Sequence, residues 1–289
     1  MKTRWLLNAA LALFIAALLV WIHFRPPTGR KHTYRPPLTR LTPDQITHIR
    51  LARRGRRIIT LAKQGGRWRI TTPVSARADR FRIDNLLHVA KARVQDSFVA
   101  PATALAKYGL KDPEATLWLD GEKIEFGNSN ALGGLQYVRY MGHVELIAAE
   151  SFKPAALRLN DLYSSRLIEK NRRPVAFVFP GFRLTSHRGM WQVQPPNPRL
   201  STDTINSFVD EWRYARALSV NRYHNKPVTG RILVSYRTRG KSGAGAPRVM
   251  TIDIIARKPE LVLYRPDEGL DYHFPSQMGR HLLNLSAAH

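Results

Sequence analysis

The chain contains no cysteine. Disulfides are therefore excluded, as is lipid attachment at an N-terminal cysteine. Acidic residues are scarce: 21 Asp plus Glu stand against 46 Lys plus Arg, a formal net charge of +25. Recognisable catalytic motifs are missing too. The ten histidines show no HExxH or other close metal-ligand spacing. No Gly-x-Ser-x-Gly elbow occurs. Arg239-Gly240-Lys241-Ser242 resembles the end of a phosphate loop, but Ser235 stands where its first glycine belongs, and a Gly/Ala segment follows instead of a helix. That stretch reads as a basic hairpin loop. No cofactor, metal site or catalytic residue is assigned.

Long apolar runs are also absent, with one exception. Trp5–Phe24 carries no Asp, Glu, Lys or Arg and follows the basic start Met1-Lys2-Thr3-Arg4. Such a run, about 30 Å long as a helix, matches the hydrocarbon core of a bilayer. Its exit, Trp21-Ile22-His23-Phe24-Arg25-Pro26, offers bulky residues where a signal peptidase needs small ones. Residues 1–24 are therefore expected to be a retained single-pass anchor, with Trp5 and Trp21 at the two membrane interfaces. Residues 25–43 are basic and proline-rich, the composition of a stiff extended stalk. Basic residues flank both ends of the span, so charge alone does not orient it.

The excess positive charge is spread along the chain. Twelve lysines and 34 arginines contribute, and no nucleic-acid motif accompanies them, so no nucleic-acid partner is expected. A basic body on an anchor suits an anionic lipid surface or an acidic partner.

Two units with related patterns follow. Trp68, Ile70 and Pro73 recur as Trp191, Val193 and Pro196, 123 residues later, and Leu61 recurs as Leu184 at the same spacing. Ala92-Arg93 and Ala215-Arg216 share it. Each unit starts with short alternating strands: Ile46–Leu51, Ile58–Ala62 and Trp68–Ile70, then Val175–Phe179, Arg183–Ser186 and Met190–Val193. One helix follows in each. Ile83, Leu86, Leu87, Ala90 and Val94 form one apolar stripe with Asp79 as cap; Ile205, Phe208, Val209 and Trp212 form the other, capped by Ser201 or Thr202. Four more strands complete each unit, and short helices are expected at Ser151–Leu159 and Pro275–Leu285. The predicted class is α+β: two tandem units, 44–168 and 169–289, of antiparallel sheet with one main helix each.

Tyr108-Gly109-Leu110-Lys111-Asp112-Pro113 leads into the strand Ala115–Leu119. With Lys123–Gly127, Tyr137-Val138-Arg139, Val144–Ile147 and the upstream Trp68 and Pro73, this run resembles the bacterial family catalogued as domain of unknown function 4340. The resemblance spans roughly Leu41 to Leu167, with the second unit similar to a degenerate copy. It implies an envelope protein of the bacterial inner membrane with an extracytoplasmic body. Some relatives occur beside ABC-transporter components, so a transporter or another envelope protein is the implied partner. The resemblance carries no activity, ligand or catalytic residue.

Tyr108, Gly109, Leu110 and Pro113 are the candidate recognition loop, although Gly109 and Pro113 are better suited to a structural turn into a strand. Asn128–Gly134 is a long hairpin loop with amides that suit a small ligand. Trp68 and Trp191 suit stacking on a sugar, but their alternation with apolar residues places them in the core. His273 and His281 stand isolated, and Ser164, Ser165 and Asp161 have no base partner identifiable in sequence. The expected function is a non-enzymatic interaction or scaffold module. The rival is an envelope enzyme or ligand-binding protein acting on a polysaccharide or peptidoglycan component. A reporter fused after His289 tests the orientation: activity on the extracytoplasmic side is expected, and activity confined to the cytoplasm contradicts it.

Overall fold

The computed structural model describes residues 14–15, 35–130, 134–238 and 246–285. The chain divides into two compact units, Met1–Pro36 and Pro37–His289. In the first, Phe14 and Ile15 are helical and exposed. The rest of the expected anchor, including Trp5 and Trp21, lies outside the described residues. Among the described residues, no helix is long and apolar enough to cross a membrane.

The second unit is α+β and mostly antiparallel sheet. Its first sheet contains β1 (His48–Arg53), β2 (Ile59–Gln64), β3 (Arg67–Thr72), β4 (Ala76–Arg77), β5 (Val94–Phe98), β6 (Ala115–Leu119), β7 (Glu122–Asn130), β8 (Leu135–Tyr140) and β9 (His143–Ala148). Their spatial order is β4-β3-β2-β1-β6-β7-β8-β9-β5. The second sheet contains β10 (Arg172–Phe179), β11 (Phe182–His187), β12 (Met190–Gln194), β13 (Ser219–Arg222), β14 (Gly230–Thr238), β15 (Arg248–Ala256), β16 (Leu261–Arg265) and β17 (Leu270–Phe274). Its order is β12-β11-β10-β14-β15-β16-β17-β13. Apart from β4, the two sheets have the same connections: a three-strand meander, a helix, an edge strand, then a four-strand meander that returns to that edge.

Period-2 patterning explains the sheets. Ile49 and Leu51 of β1 face inward while His48 and Arg50 are exposed; Leu261, Leu263 and Arg265 share one buried face of β16. Register is equivalent at matching places: Leu61 pairs with Ile70, and Leu184 pairs with Val193. The helices α1 (Arg80–His88) and α2 (Thr202–Tyr214) each carry an apolar stripe, Ile83, Leu86 and Leu87 in one and Ile205, Phe208, Val209 and Trp212 in the other. Asp79 caps α1 by accepting from Arg82 N at 3.2 Å, and Ser201 caps α2 by accepting from Thr204 N at 3.1 Å. A third helix, α3 (Ser276–Leu283), packs on α2, and Trp212 Nε1 donates to the Leu282 carbonyl at 2.8 Å. One hydrophobic cluster runs from Leu38 to Leu285 and draws on both sheets.

Three expectations change. The stripe expected to continue through Val94 breaks at His88; a 3-10 turn covers Val89–Lys91 and Val94 opens β5. The reason is backbone pairing: Leu38 N donates to Ala92 O at 2.8 Å and Thr39 N to Ala90 O at 3.0 Å. These bonds also dock the end of the expected stalk. Leu38 and Thr39 are buried, so the body begins at Pro37 instead of after Pro43. The helix expected over Ser151–Leu159 is split into turns at Lys153–Ala156 and Leu159–Leu162, the second closed by Asp161, which accepts from Arg158 N at 2.8 Å. Strands β4, β5 and β13 are additions, all short and at sheet edges.

The buried Trp212 gives a test of the helix layer. Trp212→Ala is expected to cost about 3–5 kcal/mol from the cavity it leaves. Trp212→Phe keeps most of the ring but strands the Leu282 carbonyl, at about 1–3 kcal/mol. Urea unfolding measures both; a Trp212→Phe cost near zero would show that the hydrogen bond is immaterial.

Candidate functional site

The two sheets meet through the connecting segment 163–169. Tyr163 bridges to Ala78 beside β4, and Arg166 bridges antiparallel to Arg216, just before β13. Ser164 N donates to Arg77 O at 2.9 Å, Leu167 N to Ala215 O at 3.1 Å and Ala217 N to Ser165 O at 2.8 Å. The first unit has a counterpart: Pro37 bridges to Arg93 as Leu38 pairs with Ala92. In both, a lead-in segment pairs with the chain that leaves the helix.

A buried ionic cluster sits at this junction. Arg265 projects from the core face of β16 and is completely removed from solvent. Its Nη1 donates to Leu167 O at 2.7 Å, its Nε to Asp267 Oδ1 at 3.0 Å, and both terminal nitrogens lie 3.4 Å from the Glu169 carboxylate. Arg77 of β4 reaches the same point from the first sheet. It pairs through Nε with Glu268, and its Nη2 lies 2.7 Å from Arg166 O, 2.9 Å from Tyr272 Oη and 3.1 Å from Glu268 Oε2. Arg172 of β10 holds Glu169 at 2.8 Å. Tyr272 of β17 donates to Glu268. Three guanidinium groups thus meet three carboxylates, Glu169, Asp267 and Glu268. Unpaired, Arg265 or Glu268 would be prohibitively costly at its depth.

The electrostatics follow from that pairing. Burial alone pushes the Glu268 carboxyl up, but Arg77 and Arg265 outweigh it and hold its pKa at about 2. Burial opposes the charge on Arg265, yet Glu268, Asp267 and Glu169 raise its pKa above the ordinary arginine value. Burial pushes the Tyr272 hydroxyl up, so it remains a neutral donor. At neutral pH Glu268 is therefore ionised and Tyr272 neutral. The arrangement clamps backbone and sheet together.

On the outer side of Arg172 lies a depression of about 310 Å³, lined by Arg172, Tyr236, Val249, Met250, Thr251, Pro266 and Asp267. Arg172 stacks over the Tyr236 ring at 4.5 Å, which fills part of the polar wall. Among the described residues, no group of three or more His, Asp or Glu side chains is placed to hold a metal ion.

The candidate recognition loop is built into a small second core. Leu110 is buried with Leu105 and Val144, and Tyr108 packs between Phe98 and Tyr137 at 5.3 and 4.9 Å. Gly109 has φ +70°, and a Cβ there would meet Asn128, its backbone nitrogen 2.7 Å away. Pro113 follows in the turn before β6. Asn128–Asn130 belong to β7, so the expected loop at Asn128–Gly134 is shortened; residues 131–133 lie outside the described residues, as do 239–245 with the arginine–glycine–lysine segment. Trp68 is buried, and Trp191 is half-buried against Phe177 at 5.8 Å. His273 and His281 are not isolated: their Nδ1 atoms lie 2.7 Å from Glu260 and 3.5 Å from Glu211. Ser165 Oγ accepts from Arg216 at 3.3 Å.

The cluster is not apparent in the sequence because its three parts, Arg77, Glu169 with Arg172, and Arg265 to Glu268, are far apart in the chain. One signal was present. Alternation along β16 puts Arg265 on the same face as Leu261 and Leu263, and a core-facing arginine requires carboxylates.

The depressed pKa of Glu268 makes stability pH-dependent. A carboxyl that titrates at about 2 when folded, against an ordinary 4.5, contributes stability above the higher value. That contribution, on the order of 3 kcal/mol, is lost as pH falls from 4.5 towards 2. Glu268→Gln should cost about 3–5 kcal/mol at neutral pH by stranding Arg77. It should also flatten the acid limb of a stability profile. A wild-type profile no steeper than that of the variant would contradict the assignment.

Comparison with known proteins yields one family match, to a domain of unknown function (DUF4340), over residues 68–215. No curated protein and no solved structure matches the chain. The matched stretch begins at Trp68, later than the expected Leu41, and runs past Leu167 into the second sheet as far as the end of α2, taking in Arg77, Glu169 and Arg172. It covers more than half of the sequence, and the chain belongs to this family of domains of unknown function.

Proposed function

We propose that this chain is a non-enzymatic, single-span envelope protein whose body presents a fixed surface to a membrane partner. The observation that carries the reading is the ionic cluster at the sheet junction. Its carboxylates are all committed to arginines, which suits a rigid scaffold and leaves no general base there. Trp5–Phe24 supplies the anchor and residues 25–36 the stalk, with the body on the extracytoplasmic side of the inner membrane. The matching connection order and the equivalent pairs Leu61–Ile70 and Leu184–Val193 support descent of the two sheets from one duplicated unit. On that view the units begin near Pro37 and Arg166.

An ABC-type transporter is the partner class we favour, because an anchored accessory needs little chemistry of its own. The rival, a polysaccharide-binding or peptidoglycan-acting protein, loses its aromatic platform. Trp68 is in the core and Trp191 leans on Phe177. Purification from native membranes in mild detergent tests the reading. Recovery of transporter subunits at fixed stoichiometry is expected; repeated recovery of the chain alone would sink it.

A further inference from the structure

On its outer side the junction that pairs its buried charges so completely leaves two arginines that have no carboxylate partner among the described residues. Arg166 and Arg216 stand directly opposite each other in an antiparallel bridge, so their side chains leave on the same face. Arg166 is half-buried and Arg216 exposed. Neither has a carboxylate partner among the described residues; the side-chain bond formed there is from Arg216 Nη1 to Ser165 Oγ, at 3.3 Å. Like charges directly across a strand pair are destabilising. Burial, then the neighbouring Arg216, depress the pKa of Arg166.

The fold does not require this. At the equivalent bridge of the first unit, Pro37 occupies the place of Arg166, opposite Arg93. The like-charge pair is therefore peculiar to the second unit. Its backbone is also held firmly, since the Arg166 carbonyl accepts from Arg77 of the buried cluster at 2.7 Å. Just before Arg216 in the chain come the exposed Tyr214, at the end of α2, and Arg213, whose guanidinium lies 5.3 Å over the Tyr214 ring. Arg213 has a distant carboxylate neighbour, Asp210, at 3.9 Å.

We propose that Arg166 and Arg216 form a binding subsite for a phosphate monoester group. Two planar guanidinium forks offer paired donors and two positive charges. A phosphate monoester matches both, with about −1.5 to −2 charge and three acceptor oxygens. A carboxylate has one charge and is satisfied by one fork. The same headgroup chemistry occurs in soluble phosphate esters and in phosphatidate, and the test separates these sources.

The full chain in neutral phosphatidylcholine nanodiscs is titrated with glycerol 3-phosphate at constant ionic strength, followed by calorimetry. A parallel arm replaces part of the lipid with phosphatidate and follows thermal stability. Arg166→Gln and Arg216→Gln should each weaken binding about tenfold, and Arg216→Lys severalfold, because lysine keeps the charge but not the fork. Arg57→Gln removes the same charge from the exposed β1–β2 turn and should change binding less than twofold. Because Arg216 is exposed, its variants keep the test valid if Arg166→Gln fails to fold. A response to the soluble ester alone supports the subsite with a soluble ligand; an Arg216-dependent response to phosphatidate supports it with a lipid headgroup. The proposal is overturned if acetate binds as tightly as glycerol 3-phosphate. It is equally overturned if Arg57→Gln costs as much as Arg216→Gln, or if neither arm responds.

Discussion

Arg265 holds a permanent positive charge with no access to water, and the whole junction is arranged around that constraint. A guanidinium at such depth is tolerable only with its donors occupied and its charge opposed. Glu169, Asp267 and Glu268 oppose it, and the Leu167 carbonyl takes one of its donors. The acids then need partners of their own, which come from Arg172 on β10 and Arg77 on β4. Because Arg77 arrives from the first sheet and Arg265 from the second, satisfying one buried charge fixes the position of both sheets. Apolar contacts would supply comparable stability without direction. The ionic cluster supplies a particular alignment, since its pairs tolerate little sliding.

That alignment explains why two similar sheets behave as one body. Each unit has a lead-in segment paired beside its helix, Pro37–Thr39 in one and Arg166–Leu167 in the other. The second lead-in is also the connection between units, so its backbone is shared by β4, by the chain before β13 and by the buried arginines. The paired charges inside, and Arg166 and Arg216 outside with no carboxylate partner among the described residues, are two faces of the same short segment. The inner face gives rigidity, and the outer face inherits a fixed geometry from it.

Much of the fold was legible from period and punctuation. Alternation located the meanders, and the stripes Ile83–Leu87 and Ile205–Trp212 located both helices with their caps at Asp79 and Ser201. The edge strands β5 and β13 were not legible, because Val94–Phe98 and Ser219–Arg222 are short and mixed in character; long-range pairing with β9 and β17 makes them strands. Pro37–Leu41 read as stalk for the same reason: composition there is basic and proline-rich, and its pairing partners, Ala90, Ala92 and Arg93, lie some fifty residues away. The Tyr108–Pro113 motif was visible as a motif, and Gly109 explains it as a tight approach to Asn128. The ionic cluster was the least legible part. Its members are joined by topology, and local sequence marks Arg265 alone as out of place among Leu261 and Leu263.

The central claim is that Arg77 and Glu268 couple the sheets, beyond each being well packed. A double-mutant cycle with Arg77→Met and Glu268→Gln, read by urea unfolding of the full chain at neutral pH, measures that coupling directly. The expected coupling energy is about 2 kcal/mol, with the double variant more stable than the sum of single losses implies. Additive losses, with coupling below about 0.5 kcal/mol, would contradict the account.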